Sequence, residues 1–313
     1  MRLIFAVALW LSSFACVGQP VTRIVVPFAA GGVQDIIARS ISAELGTALG
    51  RTVIVENRTG AGGTIGNASV AKAPADGSTL LLSAASHTIT GHVYARLPYH
   101  PINDFTGVAH IGTVDYALMI NAEVPARTVR EFIAYGKANP GKLNYATAGA
   151  GSATHLAMAY FAALAGIEMV HIPYKATNEA VQEVMVGRSH AVVASTIGAI
   201  PFVKEPRVRL LGVSGMQRSK FLPELPTIHE SGVPGYAFDS WIALLAPAGV
   251  PRPTLDAINA AVASLLKDPV ILGRLDKQGV EPRAMTPEAL NALLRDDYAR
   301  MGKVVKAAGA RID

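Results

Sequence analysis

The chain has 313 residues, of which half are hydrophobic and 16% are charged, with a formal net charge of +5. That length and apolar content suffice for two domains with large cores, while the modest, dispersed charge argues against a nucleic-acid partner. A single cysteine rules out a disulfide framework.

Met1 and Arg2 open the chain and precede an apolar stretch from Leu3 to Val17. The stretch is short for a membrane span, and its basic start fits a secretory signal over residues 1–18 that sends the protein to the periplasm. Small residues allow cleavage after Ala15 or after Gly18. Lipid anchoring at Cys16 is disfavoured, because Ser13-Phe14-Ala15 lacks the leucine expected of a lipoprotein box.

Residues 23–40, RIVVPFAAGGVQDIIARS, read as strand, glycine turn and helix. Ile24, Val25 and Val26 suit a buried strand bounded by Pro27. Gly31 and Gly32 permit a tight turn, and apolar residues then recur at helical spacing from Val33 to Ile41. Asp35 falls in the first turn, where a negative charge favours the helix dipole. Such a junction leaves several backbone N–H groups free at a helix start and makes an anion site. A second strand over 52–56, a second glycine turn over 58–66 with a helix to about Lys72, and a third strand over 79–83 follow. This β-α-β-α-β order predicts a parallel sheet flanked by helices. Ser83 to Ser86 follows the third strand as a small polar segment, and Leu97 to Pro101 reads as a loop.

Two strand-like runs fill 108–121, and the polar Asn121-Ala122-Glu123 marks the crossing into a second lobe. Thr128 to Glu131 is a capping box that opens a helix to about Asn139. The second lobe then repeats the plan of the first: a strand over 143–146, the glycine loop Thr147 to Ser152, a helix over 153–165, further strands over 170–172, 190–195 and 208–213, and a helix over 177–186. An apolar strand over 238–246 marks the return, ahead of an amphipathic helix over 253–266 and a long terminal helix over 286–308. The expected division is lobe one over 19–122 and 237–313 and lobe two over 123–236. No low-complexity linker separates them, which predicts lobes that hinge.

The glycine loops at Phe28–Gly32 and Thr147–Ser152 carry the strongest chemical signal. If the lobes face each other, two helix starts point into one cleft with neutral donors: backbone N–H groups, Thr147, Ser152 and Thr154. A carboxylate held this way needs no arginine, since hydrogen bonds to a charged group contribute about 1.5–3 kcal/mol each. Four or five of them, less ordering costs, reach micromolar affinity, about −8 kcal/mol. His155, in the first turn after the second loop, reads as a residue that bonds its own loop ahead of one that touches ligand. Enzymatic readings find little support. Gly60, Gly62 and Gly66 are off the dinucleotide fingerprint, the eight histidines lack ligand spacing, and there is no G-x-S-x-G or phosphate-binding loop. The expected protein is therefore a binder with no cofactor, no metal and no catalytic residue.

A set of phrases spread over nearly the whole mature chain resembles the Bug/TctC family, the periplasmic substrate-binding proteins of tripartite tricarboxylate transporters. They are RIVVPFAAGGVQDIIAR (23–39), VIVENRTGAGGTIG (53–66), VAKAPADGSTLL (70–81), NDFTGVAHIG (103–112), KANPGKLNYATAGAGSATHLA (137–157), HIPYKAT (171–177), LPTIHESGVPGY (225–236) and WIALLAPAGVP (241–251). The resemblance implies a two-lobed α/β Venus-flytrap fold of type II, each lobe a mostly parallel sheet flanked by helices, with a ligand carboxylate clamped at the hinge. The site residues it implies are Phe28, Ala30, Gly31, Gly32, Ser83 and Ser86 from lobe one. From lobe two they are Thr147, Gly149, Ser152 and His155, with Ala194, Ser195 and Thr196 at the distal end and Asp239 near the return crossing. Ala194 stands where the family often has an acidic residue able to meet an ammonium group, which argues for a plain carboxylate, aromatic or dicarboxylic, over an amino acid. Ala176 and Ala159 are further departures, from a usual Gly and Glu. The implied role is a monomer that captures a small carboxylate and hands it to the transporter's membrane subunits, the alternative being presentation to a sensor kinase. Ser152→Ala is expected to weaken binding with little loss of stability, and Gly32→Val to damage both.

Overall fold

The computed structural model describes residues 20–150, 152–174 and 176–308. The expected signal segment with Cys16, and Gly151 and Lys175 of the quoted phrases, lie outside the described residues. The chain begins β1 (Val21–Val26), α1 (Val33–Leu49), β2 (Thr52–Asn57), a 3-10 turn at Ala61–Gly63, α2 (Thr64–Ala71), β3 (Thr79–Ala84), α3 (Ser86–Val93) and β4 (Phe105–Val114). It continues with β5 (Tyr116–Asn121), α4 (Val129–Ala138), β6 (Leu143–Thr147), α5 (Ala153–Ala165), β7 (Met169–Pro173), α6 (Thr177–Met185), β8 (Ala191–Ser195), α7 (Thr196–Ala199) and β9 (Val208–Val213). It ends with β10 (Ser240–Pro247), α8 (Arg252–Leu265), α9 (Pro269–Asp276), β11 (Glu281–Pro282) and α10 (Pro287–Ala308).

Two sheets result, ordered β11-β4-β10-β3-β1-β2 and β7-β6-β8-β5-β9. The strands are apolar on both faces because helices cover both. Ile24, Val26, Leu80 and Leu82 pack with Ile37 and Ile41 of α1, while Val25 and Leu81 face the opposite layer with Val70, Leu290 and Leu294. In the second sheet, Leu118, Ile120 and Val193 pack with α5, whereas Met119, Val192 and Ala194 pack with Val181 and Val184 of α6.

Both sheets are mixed. β1 pairs in parallel with β2 and β3, and β6 with β7 and β8. β10 runs antiparallel to β3 and β4, and β5 antiparallel to β8 and β9. The reason lies in the crossings. β4 leaves the first sheet and, after Asp115 alone, becomes β5 of the second. β5 therefore enters its sheet from the interlobe side, where β8 ends: Tyr116 pairs with Ser195. Likewise β10 enters from that side, and Ser240 pairs with Val114. A crossing after Asn121 is thus corrected: the polar triplet closes β5 at its far end, and the lobe changes at Asp115. The return lies between Phe238, whose N–H donates to Ser214 O in lobe two, and Ser240 in lobe one.

The terminal helix belongs to both lobes. Leu290 and Leu294 sit in the core of the first sheet, while Met301, Val304 and Val305 join a cluster with Leu156 and Phe161 of α5 and with Ile89 and Val93 of α3. Buried Asp297 of α10 accepts hydrogen bonds from Thr88 Oγ1 (2.6 Å) and Trp241 Nε1 (2.9 Å), which fixes α10 against α3 and β10. Among the described residues, no helix is long and apolar enough to cross a membrane.

Candidate functional site

A cleft of about 500 Å³ opens between the lobes. Five helices begin at its wall, each fed by a strand that ends there. Gln34 in the first turn of α1, Gly62 ahead of α2 and Ser86 of α3 come from lobe one; Ser152 and Thr154 at the start of α5 and Thr177 of α6 come from lobe two. Ligands bind in this position in open α/β sheets, beyond the carboxyl ends of the strands. The first-turn N–H groups of each helix lack intrahelical partners, and each helix start carries partial positive charge. None of the described lining residues is charged. The cleft is thus a field of neutral donors suited to an anion of modest size.

The lobe-one loop is shaped by Asp35. Its carboxylate, almost wholly buried, accepts from Gly31 N–H (2.9 Å), Asn57 Nδ2 (2.9 Å) and Arg39 Nε (3.0 Å). Asn57 Nδ2 also donates to Phe28 O at 3.0 Å. Burial pushes the Asp35 carboxyl up, but the bonds from Arg39, Gly31 and Asn57 outweigh it and hold the group below the usual carboxylate range. Phe28 is thereby placed on the cleft wall. The tight turn resides at Gly31, with φ +80°, whereas Gly32 has φ −73° and serves as the N-cap of α1.

The lobe-two loop is held from behind by hydroxyls. Thr154 Oγ1 accepts from Ala148 N–H (2.9 Å) and meets Ser152 Oγ at 3.0 Å. Ser152 Oγ caps α5 by accepting from His155 N–H at 3.2 Å. Thr147 Oγ1 bonds His171 Nε2 (2.7 Å) and accepts from Gly149 N–H (3.2 Å). The His155 ring stacks on that of His171 at 3.9 Å, and Tyr145 flanks the pair. Burial, and secondarily the neighbouring His171, push His155 down to about 4, so it is neutral near pH 7.

Of the residues singled out from sequence, Phe28, Ser86, Ser152 and Thr154 line the cleft together. The others stand elsewhere, for identifiable reasons. Ala30, Gly31 and Gly32 form the turn behind Phe28, and the N–H groups of Gly31 and Gly32 are taken by Asp35 and Ala29 O. Ser83 is 1% exposed within β3. Thr147 and His155 are buried behind the loop, and Gly149, at φ +108°, turns its N–H to Thr147. Ala194 packs in the core beneath α6, Ser195 caps α7 by accepting from Gly198 N–H, and Thr196 is fully buried. None of the three, expected at the distal wall, is among the residues that line the cleft. Asp239 stands at the return crossing, between Phe238 of lobe two and Ser240 of lobe one. It lies in a separate hinge cleft of about 590 Å³ with Asp115, Glu281, Arg218 and Arg283. There burial, then the charges of Asp239 and Glu281, push Asp115 up to about 7.

Residues that the sequence reading passed over supply much of the cleft. One face of α3 contributes Ser86, Ile89, Thr90 and Val93, and Tyr94 follows it. Tyr116 and Ser240, the first residues after the two crossings, line it at the hinge. Burial above all pushes the Tyr116 hydroxyl up to about 12, so it stays protonated. Their position beside Asp115 and Asp239 would have marked them, had the first crossing been placed correctly. Among the described residues no cluster of three or more His, Cys, Asp or Glu could hold a metal.

A family model described as "Tripartite tricarboxylate transporter family receptor" matches residues 37–310. A protein of Pseudomonas sp. (strain P51), described as the "UPF0065 protein in tcbD-tcbE intergenic region", is 36% identical over 288 residues, covering 92% of this chain and 85% of the relative. Among solved structures, R. palustris Rpa4515 with adipate is similar at a TM-score of 0.79 and 33% identity, covering 93% of this chain and 98% of that one. MatC (Rpa3494) from Rhodopseudomonas palustris with bound malate is similar at a TM-score of 0.74 and 31% identity, covering 91% and 98%.

Proposed function

The chain belongs to the tripartite tricarboxylate transporter receptor family, and on that premise we propose that it captures a small carboxylate between its lobes in the periplasm. The captured ligand passes to the membrane subunits of a transporter of that type, and the receptor works as a single copy. The carrying observation is the convergence of five helix starts on a cleft whose described lining holds no charged side chain. A helix start contributes about 0.3–1 kcal/mol toward a bound anion, up to ~2 when partly buried, and several together place a carboxylate without an ion pair. The adipate and malate found in two structural neighbours support the ligand class.

The test is a thermal-shift screen of the chain without its first 18 residues against mono-, di- and tricarboxylates, amino acids, NAD and AMP. A ligand at one hundred times its dissociation constant stabilises by about 2.7 kcal/mol, several degrees in Tm. Shifts confined to carboxylates support capture; a nucleotide response with none to acids overturns it. Deletion of the gene should abolish uptake of the ligand while leaving induction of its catabolic genes intact. The reverse pattern would assign the protein to signalling through a sensor kinase.

A further inference from the structure

Within that carboxylate-binding reading, on which this step rests, we propose that the ligand is a monocarboxylate whose remainder is an apolar body, aryl or alkyl, lying along α3. The two ends of the α3 face differ in chemistry. Ser86 stands at its start, in the donor-rich zone of the helix N-termini. Ile89, Val93 and Tyr94 follow three, seven and eight residues later, on the same helical face and up to about 12 Å further along. Thr90 lies between them, but its hydroxyl donates to His87 O at 2.9 Å and contacts the Tyr99 hydroxyl at 3.3 Å. What it leaves for the cleft is its methyl group. Val93 and Ile89 are themselves anchored in the cluster that includes Leu156 of α5 and Val304 of α10. This wall is therefore rigid as well as apolar.

Tyr94 closes the far end. A β-carbon built on Gly62 would sit 2.7 Å from the Tyr94 hydroxyl, so the hydroxyl end of the ring abuts the 3-10 turn ahead of α2. Tyr116 lines the same cleft, its ring packed edge-on against Phe238 at 5.9 Å. A methylene chain or a ring can lie between these surfaces. A second carboxylate placed against Ile89 and Val93 would exchange its water for at most a neutral tyrosine hydroxyl, and an ammonium group would gain no more. The discrimination comes from the charged end that the wall refuses, rather than from the carboxylate that the helix starts accept.

Calorimetric titration with four probes decides the matter: hexanoate, adipate and 6-aminohexanoate, which share a six-carbon chain, and benzoate. Hexanoate and benzoate should bind at least tenfold tighter than adipate or 6-aminohexanoate. Tyr94→Lys, a change at a half-buried position, should raise the affinity for adipate relative to hexanoate by tenfold or more. Adipate or 6-aminohexanoate binding as tightly as hexanoate in the unmodified chain overturns this inference and leaves carboxylate capture standing. If no carboxylate of this set or of the wider screen binds, both fall. Should the lysine variant fail to fold, the four-probe comparison on the unmodified chain decides alone.

Discussion

Replacing Asp35 with alanine removes one carboxylate that three donors share. Hydrogen bonds to a charged group contribute about 1.5–3 kcal/mol each when sheltered. Only the bond from Asn57 merits that full range. The Arg39 side chain is 52% exposed and Gly31 lies at the surface, so both donors regain water and count for about 0.5 kcal/mol each. The expected loss is about 2.5–4 kcal/mol, or roughly 5–16 °C in Tm for a chain of this size. Because the folded carboxyl lies below its ordinary value, its contribution is complete above about pH 4 and disappears as pH falls through the folded value. Circular-dichroism melts of the two proteins should therefore show the full gap at neutral pH and a shrinking gap below about pH 4. Ligand affinity should fall too, because Asn57 loses the partner that steadies its grip on Phe28 O. A gap under about 2 °C at neutral pH, or one that does not change with pH, would refute the idea that this charge organises the loop.

Other substitutions probe the remaining parts of the site. Ser152→Ala removes the N-cap of α5 as well as a hydroxyl from the cleft; contrary to the expectation from sequence, it should cost about 0.5–2 kcal/mol of stability in denaturant melts alongside weaker carboxylate binding. Gly31→Ala should destabilise more than Gly32→Ala, since only Gly31 has positive φ, where a side chain costs about 1–2 kcal/mol. At Gly32 the added β-carbon meets Ala29 O at 3.2 Å, a tight contact without the dihedral penalty. Asp115→Asn tests the hinge. With its folded value raised to about 7, native Asp115 binds protons more strongly than the unfolded chain does, so its contribution to stability falls as pH rises from about 4 to 7. The amide should raise Tm at pH 8 and change it little at pH 4.

Much of this molecule is legible in its residues because local chemistry and tertiary packing agree there. The strand-turn-helix units at 21–49 and 143–165 combine β-branched runs, glycines and helical periodicity, and they fold as those signals indicate. The Thr128 cap is realised, with Glu131 N–H donating to Thr128 Oγ1, while the Glu131 carboxylate reaches back one residue further, to Arg127 N–H. By contrast α3, SHTITGHV, is rich in β-branched residues and carries a glycine, so its propensity does not announce a helix. Packing forms it: Ile89 and Val93 enter the interlobe core, and Thr88 is held by Asp297, 209 residues away. The part of the cleft's apolar wall made by Ile89 and Val93 was hidden with it. Side-chain direction was equally opaque at Ala194, which packs against α6, and at Asp239, which lines the cleft that holds Asp115 and Arg283.

The sequence by itself determined the layered α/β lobes and the two glycine loops, because each follows from spacing within a few dozen residues, and its resemblance along nearly the whole chain pointed to the family. The tertiary structure alone decided where the chain changes lobe, which helix starts share one cleft and which side chains face it. Those depend on the crossing at Asp115 and on contacts between residues far apart in the chain, such as Asp297 with Thr88 and Trp241, for which no local pattern exists.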